Sequence, residues 1–84
     1  MIGENTMTQE KISLKRIRAS LGLTQRQLAK RAHISEQALV DIEGNKVVPR
    51  LLTAYALVAA LNEELVQRGR EKITIDTLDW TVRE

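Results

Sequence analysis

The sequence predicts a small all-α domain of four to five helices, and three observations carry that expectation. Apolar residues recur three or four apart through four successive stretches, which is the period of a helix with one buried face. Helix-start residues Ser13, Thr24 and Ser35 precede three of these stretches, and the stop signals Gly22, Gly44-Asn45 and Gly69 follow, each suited to a helix end. The chain has 84 residues, 43% of them hydrophobic. A chain of that size makes one domain with a modest core, which oligomerisation would help to stabilise.

The first helix is expected over about 14 to 21, with Ser13 as its N-cap, Leu14, Ile17 and Leu21 on one face, and Gly22 in the left-handed position after it. Thr24-Gln25-Arg26-Gln27 reads as a capping box, so the second helix starts at Gln25 and runs to about Ala32 with Leu28 and Ala29 inward. Ser35 opens a third helix that ends near Glu43 and buries Ala38, Leu39 and Ile42. A longer helix follows Pro49, with Leu51, Ala54, Tyr55, Val58, Leu61 and Leu65 on its inner face and a break expected at Asn62. The stretch Lys72 to Asp76 alternates like a short strand, and Asp76 is placed to cap one last turn that carries Leu78 and Trp80; strand and turn both stand open for this tail.

Composition narrows the function classes. There is no Cys and one His, so there is no disulfide framework, thiolate zinc site or thiol nucleophile, and the expectation is a cytoplasmic protein with no metal and no cofactor. Met1 to Glu10 holds no Lys or Arg and no apolar run, unlike a targeting segment, and is expected to be a disordered tail. No stretch approaches the roughly 18 consecutive apolar residues of a membrane span, so no membrane partner is expected. Tyr55 and Trp80 are the only aromatics, too few for a base-stacking platform. The formal net charge of +2 hides an asymmetry: residues 11 to 50 hold nine positive and three negative side chains, a balance of +6, against −4 elsewhere. One half therefore suits a polyanion.

The second and third predicted helices are joined by Ala32-His33-Ile34, with the small Ala29 on one side and apolar anchors at Ile34, Leu39 and Ile42 on the other. That spacing is a helix-turn-helix, which leaves the outer face of its second helix able to enter a major groove. The run Leu14-Lys-Arg-Ile-Arg-Ala-Ser-Leu-Gly-Leu-Thr-Gln-Arg-Gln-Leu-Ala, followed by Ile34-Ser35, Ile42-Glu43, Pro49 and an apolar helix ending Ala60-Leu61-Asn62, resembles the lambda-repressor-like helix-turn-helix family of XRE, phage repressor and Cro type. The resemblance covers residues 14 to 62. It implies a compact five-helical fold, dimeric binding to operator DNA and repression of transcription.

Carried over residue by residue, the resemblance makes Gln25 a phosphate contact, assisted by its place at a helix N-terminus. It assigns Ser35, Glu36, Gln37, Val40 and Asp41 to the DNA-reading face of the third helix, and the spacing agrees, since 36, 37, 40 and 41 form one stripe opposite Ala38 and Ile42. It pairs Arg18 with Glu43 as a structural brace between the first and third helices. Arg26, Asn45, Lys46 and Arg50 are the remaining candidate DNA contacts, on phosphates. The chain departs from the pattern in three places: His33 stands at the common Gly of the turn, Gly44-Asn45 replaces a basic residue and Gly, and Glu36 and Asp41 make the reading face acidic. Carboxylates repel phosphate but accept from the N4 amino group of cytosine.

The domain organisation expected is a tail over 1–10, a helix-turn-helix domain over 11–62 and a C-terminal extension over 63–84. Leu65, Ile73, Ile75, Leu78 and Trp80 supply the extension with apolar area for a homodimer or partner surface. The leading function is a sequence-specific double-stranded DNA-binding regulator, a dimeric repressor. The alternative is an antitoxin-like or adaptor module that docks a protein partner such as a toxin. Nothing in the sequence supports an enzyme, because no nucleophile motif or Gly-rich phosphate loop is present.

Overall fold

The computed structural model describes residues 11–84; the tail expected over 1–10 lies outside the described residues. Four α-helices follow one another, α1 (Leu14–Ser20), α2 (Gln25–Arg31), α3 (Glu36–Glu43) and α4 (Leu51–Gln67), and a 3-10 turn spans Ile75–Thr77. Among the described residues there is no strand, only the isolated bridges Ile12 to Leu78 and Arg50 to Arg83.

Local chemistry sets the starts. The Ser13 hydroxyl accepts from the Arg16 amide and the Ser35 hydroxyl from the Ala38 amide, both at 3.0 Å. Thr24 and Gln27 exchange the two bonds of a capping box, at 3.0 and 2.8 Å. These side chains satisfy amides that a helix cannot satisfy itself. Arg50 precedes α4 without a capping side-chain bond, and there the Leu51 amide donates to the Arg83 carbonyl at 2.7 Å. The last residues of the chain thus do for α4 what a hydroxyl does for the other helices.

All four helices end in the same way. The residue two beyond the helix takes a positive φ, 73° at Gly22, 61° at His33, 61° at Asn45 and 71° at Gly69. After each, an amide reaches back: Leu23 to the Arg18 carbonyl, Ile34 to Ala29, Lys46 to Asp41 and Arg70 to Leu65. This is the Schellman closure, which satisfies the final carbonyls and turns the chain sharply. Asn tolerates the left-handed region better than most residues and His is also enriched there.

The helices enclose an aliphatic core. α2 packs on both α3 and α4, and Leu21, Leu28, Leu39, Leu57, Leu61, Leu65 and Leu78 are the fully buried large side chains. Leu78 belongs to the C-terminal stretch, and Ile73, Ile75 and Trp80 pack against the same core, with the Trp80 indole donating to the Ile75 carbonyl at 3.0 Å. Of the apolar residues expected to give 63–84 a partner surface, Leu65 and Leu78 are buried, and Ile73, Ile75 and Trp80 are half-buried against the core.

Several local expectations are corrected. α4 does not break at Asn62, because the Asn62 side chain points away from its own backbone and binds both the amide and the carbonyl of Ile73, at 2.8 and 3.0 Å. Lys72 to Asp76 forms no strand, and the Asn62 amide gives the Ile73 backbone the donor and acceptor that a neighbouring strand would. The final turn is opened by Thr74, whose amide donates to the Thr77 hydroxyl at 3.1 Å, and Asp76 lies within it. Tyr55, expected on the inner face of α4, is 55% exposed.

Two predictions follow from the way the C-terminal half is fastened. Asn62→Ala leaves the Ile73 backbone without partners and should cost about 1 to 3 kcal/mol, read as a lower unfolding midpoint together with faster amide exchange at Ile73. Glu64 accepts from Arg31 at 2.6 Å and from Arg68 at 3.1 Å. Hydrogen bonds from Arg31 and then Arg68 hold its carboxyl below the ordinary range. A lowered folded value means that this contribution is complete above the unfolded value of about 4.3 and is lost as pH falls through the folded value beneath it. Melting temperature measured from neutral pH to pH 3 should accordingly fall less steeply for Glu64→Gln than for the unsubstituted chain.

Candidate nucleic-acid interface

The junction of α2 and α3 is built for a close crossing. Ala29 is buried where the helices meet, and Ala32 behind it is buried as well. With only three residues between Arg31 and Ser35, the direction of α3 is set by the left-handed turn at His33 and by Ile34, which packs on the core. Leu39 and Ile42 bury the inner side of α3.

The outer side of α3 presents Glu36 and Gln37 exposed, while Val40 and Asp41 are half-buried. The Gln37 amide donates to the Asp41 carboxylate at 3.0 Å, one turn along the same helix. Ser35 is occupied as the cap, so its hydroxyl is committed to the Ala38 amide. The face thus offers Glu36 and Gln37 outright, and Asp41 as the acceptor of a bond that another donor can replace.

Behind that face lies the most buried charge of the domain. The Arg18 guanidinium donates to Glu43 through Nε at 2.7 Å and Nη2 at 3.1 Å, and through Nη1 to the Leu23 carbonyl at 2.7 Å. The two side chains are only 10% and 3% exposed. Gln25, at the start of α2, donates to the same Glu43 carboxylate at 2.9 Å. One of its two amide hydrogens is therefore committed to the protein, and the other is what remains for a phosphate. Three elements separate in sequence meet here: α1, the start of α2 and the end of α3.

Exposed cations and one exposed amide flank α3. Arg26 stands on the first turn of α2, and Asn45, Lys46 and Arg50 lie on the connection from α3 to α4, all exposed. Gly44 in that connection is tightly placed, since a Cβ there would meet the Val40 carbonyl oxygen at 3.2 Å. A further basic residue joins the set. Arg83 bonds through its amide to the Pro49 carbonyl at 3.0 Å, and its side chain lines a hollow with Asp41, Val48 and Arg50. Nothing in the sequence marked Arg83, which lies 33 residues from Arg50 and outside any motif. Among the described residues no group of three or more His, Asp or Glu is placed to hold a metal ion.

The model of a family described as helix-turn-helix matches residues 14–67, from the first residue of α1 to the last of α4. An uncharacterized HTH-type transcriptional regulator of Methanothermobacter thermautotrophicus is 34% identical over 50 residues, which cover 60% of this chain and 72% of that protein. No solved structure matches the chain.

Removing one member of the Arg18–Glu43 pair strands the other charge in a desolvated place. In a double-mutant cycle on Arg18→Ala and Glu43→Ala, unfolding free energies should therefore show a coupling of roughly 0.5 to 3 kcal/mol, whereas independent losses that simply add would mean the pair braces nothing.

Proposed function

The chain belongs to the helix-turn-helix family, and on that basis we propose that it is a DNA-binding transcriptional regulator, a dimeric repressor that reads the major groove with α3. The observation that carries this reading is the exposed outer edge of α3, with Glu36 and Gln37 in solvent and Arg26, Lys46 and Arg50 exposed on the adjoining elements. Cations at the flanks hold phosphates and set register, while side chains on the groove-facing helix distinguish bases. Gln37 suits the N6 and N7 of adenine, and Glu36 and Asp41 suit the N4 of cytosine. Gln37 exchanges its bond to Asp41 for one to a base, so that engagement frees the Asp41 carboxylate at the same moment. Half-buried Val40 leaves an edge for a thymine methyl group. Arg83 joins Arg50 as a backbone contact, and Gln25 contributes its remaining amide hydrogen. Two copies place two such helices on half-sites about 34 Å apart, and occupancy of that operator excludes polymerase.

The test begins with selection of bound duplexes from a random library, followed by titration of the selected and a scrambled duplex. Affinity should fall with salt at a log-log slope of about −0.9 per phosphate neutralised. Gln37→Ala should cost about 1 to 3 kcal/mol on the selected duplex and little on the scrambled one, while Arg26→Ala weakens both alike. A flat salt response, or an equal loss from Gln37→Ala on both duplexes, would overturn the reading.

A further inference from the structure

The outward face of α4 carries the most exposed large apolar side chain among the described residues, Leu52 at 83%, followed along the same face by Tyr55 at 55% and Val66 at 52%. Ala59 and Glu63, both exposed, lie between them. The stripe Leu52, Tyr55, Ala59, Glu63, Val66 has intervals of three, four, four and three residues, so it reads the same from either end about Ala59. Such a stripe can meet itself across a two-fold axis at Ala59, with each residue facing the position equally distant on the other side.

We propose that this stripe is where a second copy of the chain docks, with the two α4 helices antiparallel and the two-fold axis passing at Ala59. The proposal deepens the dimeric part of the reading above and rests on it. Antiparallel alignment sets Leu52 of each copy against Val66 of the other and Tyr55 against Glu63, so that a phenol donor meets a carboxylate acceptor twice. A parallel alignment would instead set Glu63 against Glu63, a repulsive pair. The small side chain at the axis lets the helices approach closely. The relief agrees, because Leu52 and Tyr55 stand out from the N-terminal half of the stripe, whereas its C-terminal half borders a hollow lined by Ala59, Glu63, Val66, Gln67 and Lys72. Rotation about the axis lowers the protruding pair of one copy into the hollow of the other, with Lys72 beside the Tyr55–Glu63 contact. The stripe runs from Leu52 to Val66, about 21 Å of helix, so the interface belongs at the small end of specific interfaces, below about 1,200 Å² in total. An interface of that size suits a weak, reversible dimer.

Sedimentation of the full chain across micromolar concentrations should show a monomer–dimer equilibrium. Leu52→Arg and Ala59→Arg, at exposed positions, should keep the circular dichroism and Trp80 emission of the folded chain yet weaken dimerisation about tenfold or more. Because the chain has no Cys, Ala59→Cys should form an intermolecular disulfide on mild oxidation, and Lys15→Cys, exposed on α1, should not. A dimer that survives both arginine substitutions would overturn this surface while leaving the dimeric reading intact, and a chain that stays monomeric throughout would overturn both. Leu52→Cys cross-linking to itself as readily as Ala59→Cys would overturn the antiparallel register.

Discussion

The Arg18–Glu43 pair is the constraint on which the placement of the reading helix depends. Glu43 is only 3% exposed, so the attraction within the pair is little screened but its desolvation is costly, and the pair is tolerated because its buried polar atoms also find hydrogen-bond partners. A buried ion pair repays its desolvation only when its remaining donors and acceptors are also used. Here they are: the guanidinium spends its third contact on the Leu23 carbonyl, and the carboxylate takes a third donor from Gln25. Among the described residues no buried side-chain nitrogen or oxygen lacks a partner. Because Glu43 is the last residue of α3 and Gln25 the first of α2, the same carboxylate fixes the far ends of both helices of the helix-turn-helix.

The second determinant is the way the chain turns corners. Four Schellman closures use two glycines, one asparagine and one histidine at their left-handed residues. At the α2–α3 corner the histidine does so at some conformational cost, since a Cβ disfavours that region. The cost is sustained because the corner is fixed from both sides, by Ala29 and Ile34 against the core and by Ser35 capping the next helix. The direction of α3 is thereby set by packing as well as by turn chemistry.

The C-terminal residues close the remaining gaps. Ile12 pairs with the stretch around Leu78, and Pro49 and Leu51 pair with Arg83, so one segment ties the entrances of α1 and α4 together while Leu78 fills the core between them. The Arg68 guanidinium adds a bond to the Leu21 carbonyl at 2.6 Å. With its ends held in this way and its inner face packed, α4 runs unbroken over Leu51–Gln67, and its outer face is left to solvent.

The sequence by itself determined where helices begin and end, since caps, capping boxes and left-handed stops act across three to five residues and the apolar period names the buried face. It was enough to read α1, α2 and α3, the corner between α2 and α3, and a resemblance in which Arg18, Glu43 and the face of α3 take their places. What only the tertiary structure decided is how polar side chains are spent. Asn62 looked like a helix breaker until Ile73, 11 residues on, took up its amide; Gln25 has part of its donor capacity drawn off by Glu43, 18 residues away. Tyr55 satisfied the helical period yet faces outward, and Trp80 and Ile75 are half-buried against the core. Arg83 entered the basic set through backbone pairing to Pro49 and Leu51. Periodicity and capping are short-range and therefore written locally, whereas the partner of a hydrogen-bonding side chain is selected by whichever distant backbone the packed core brings within about 3 Å.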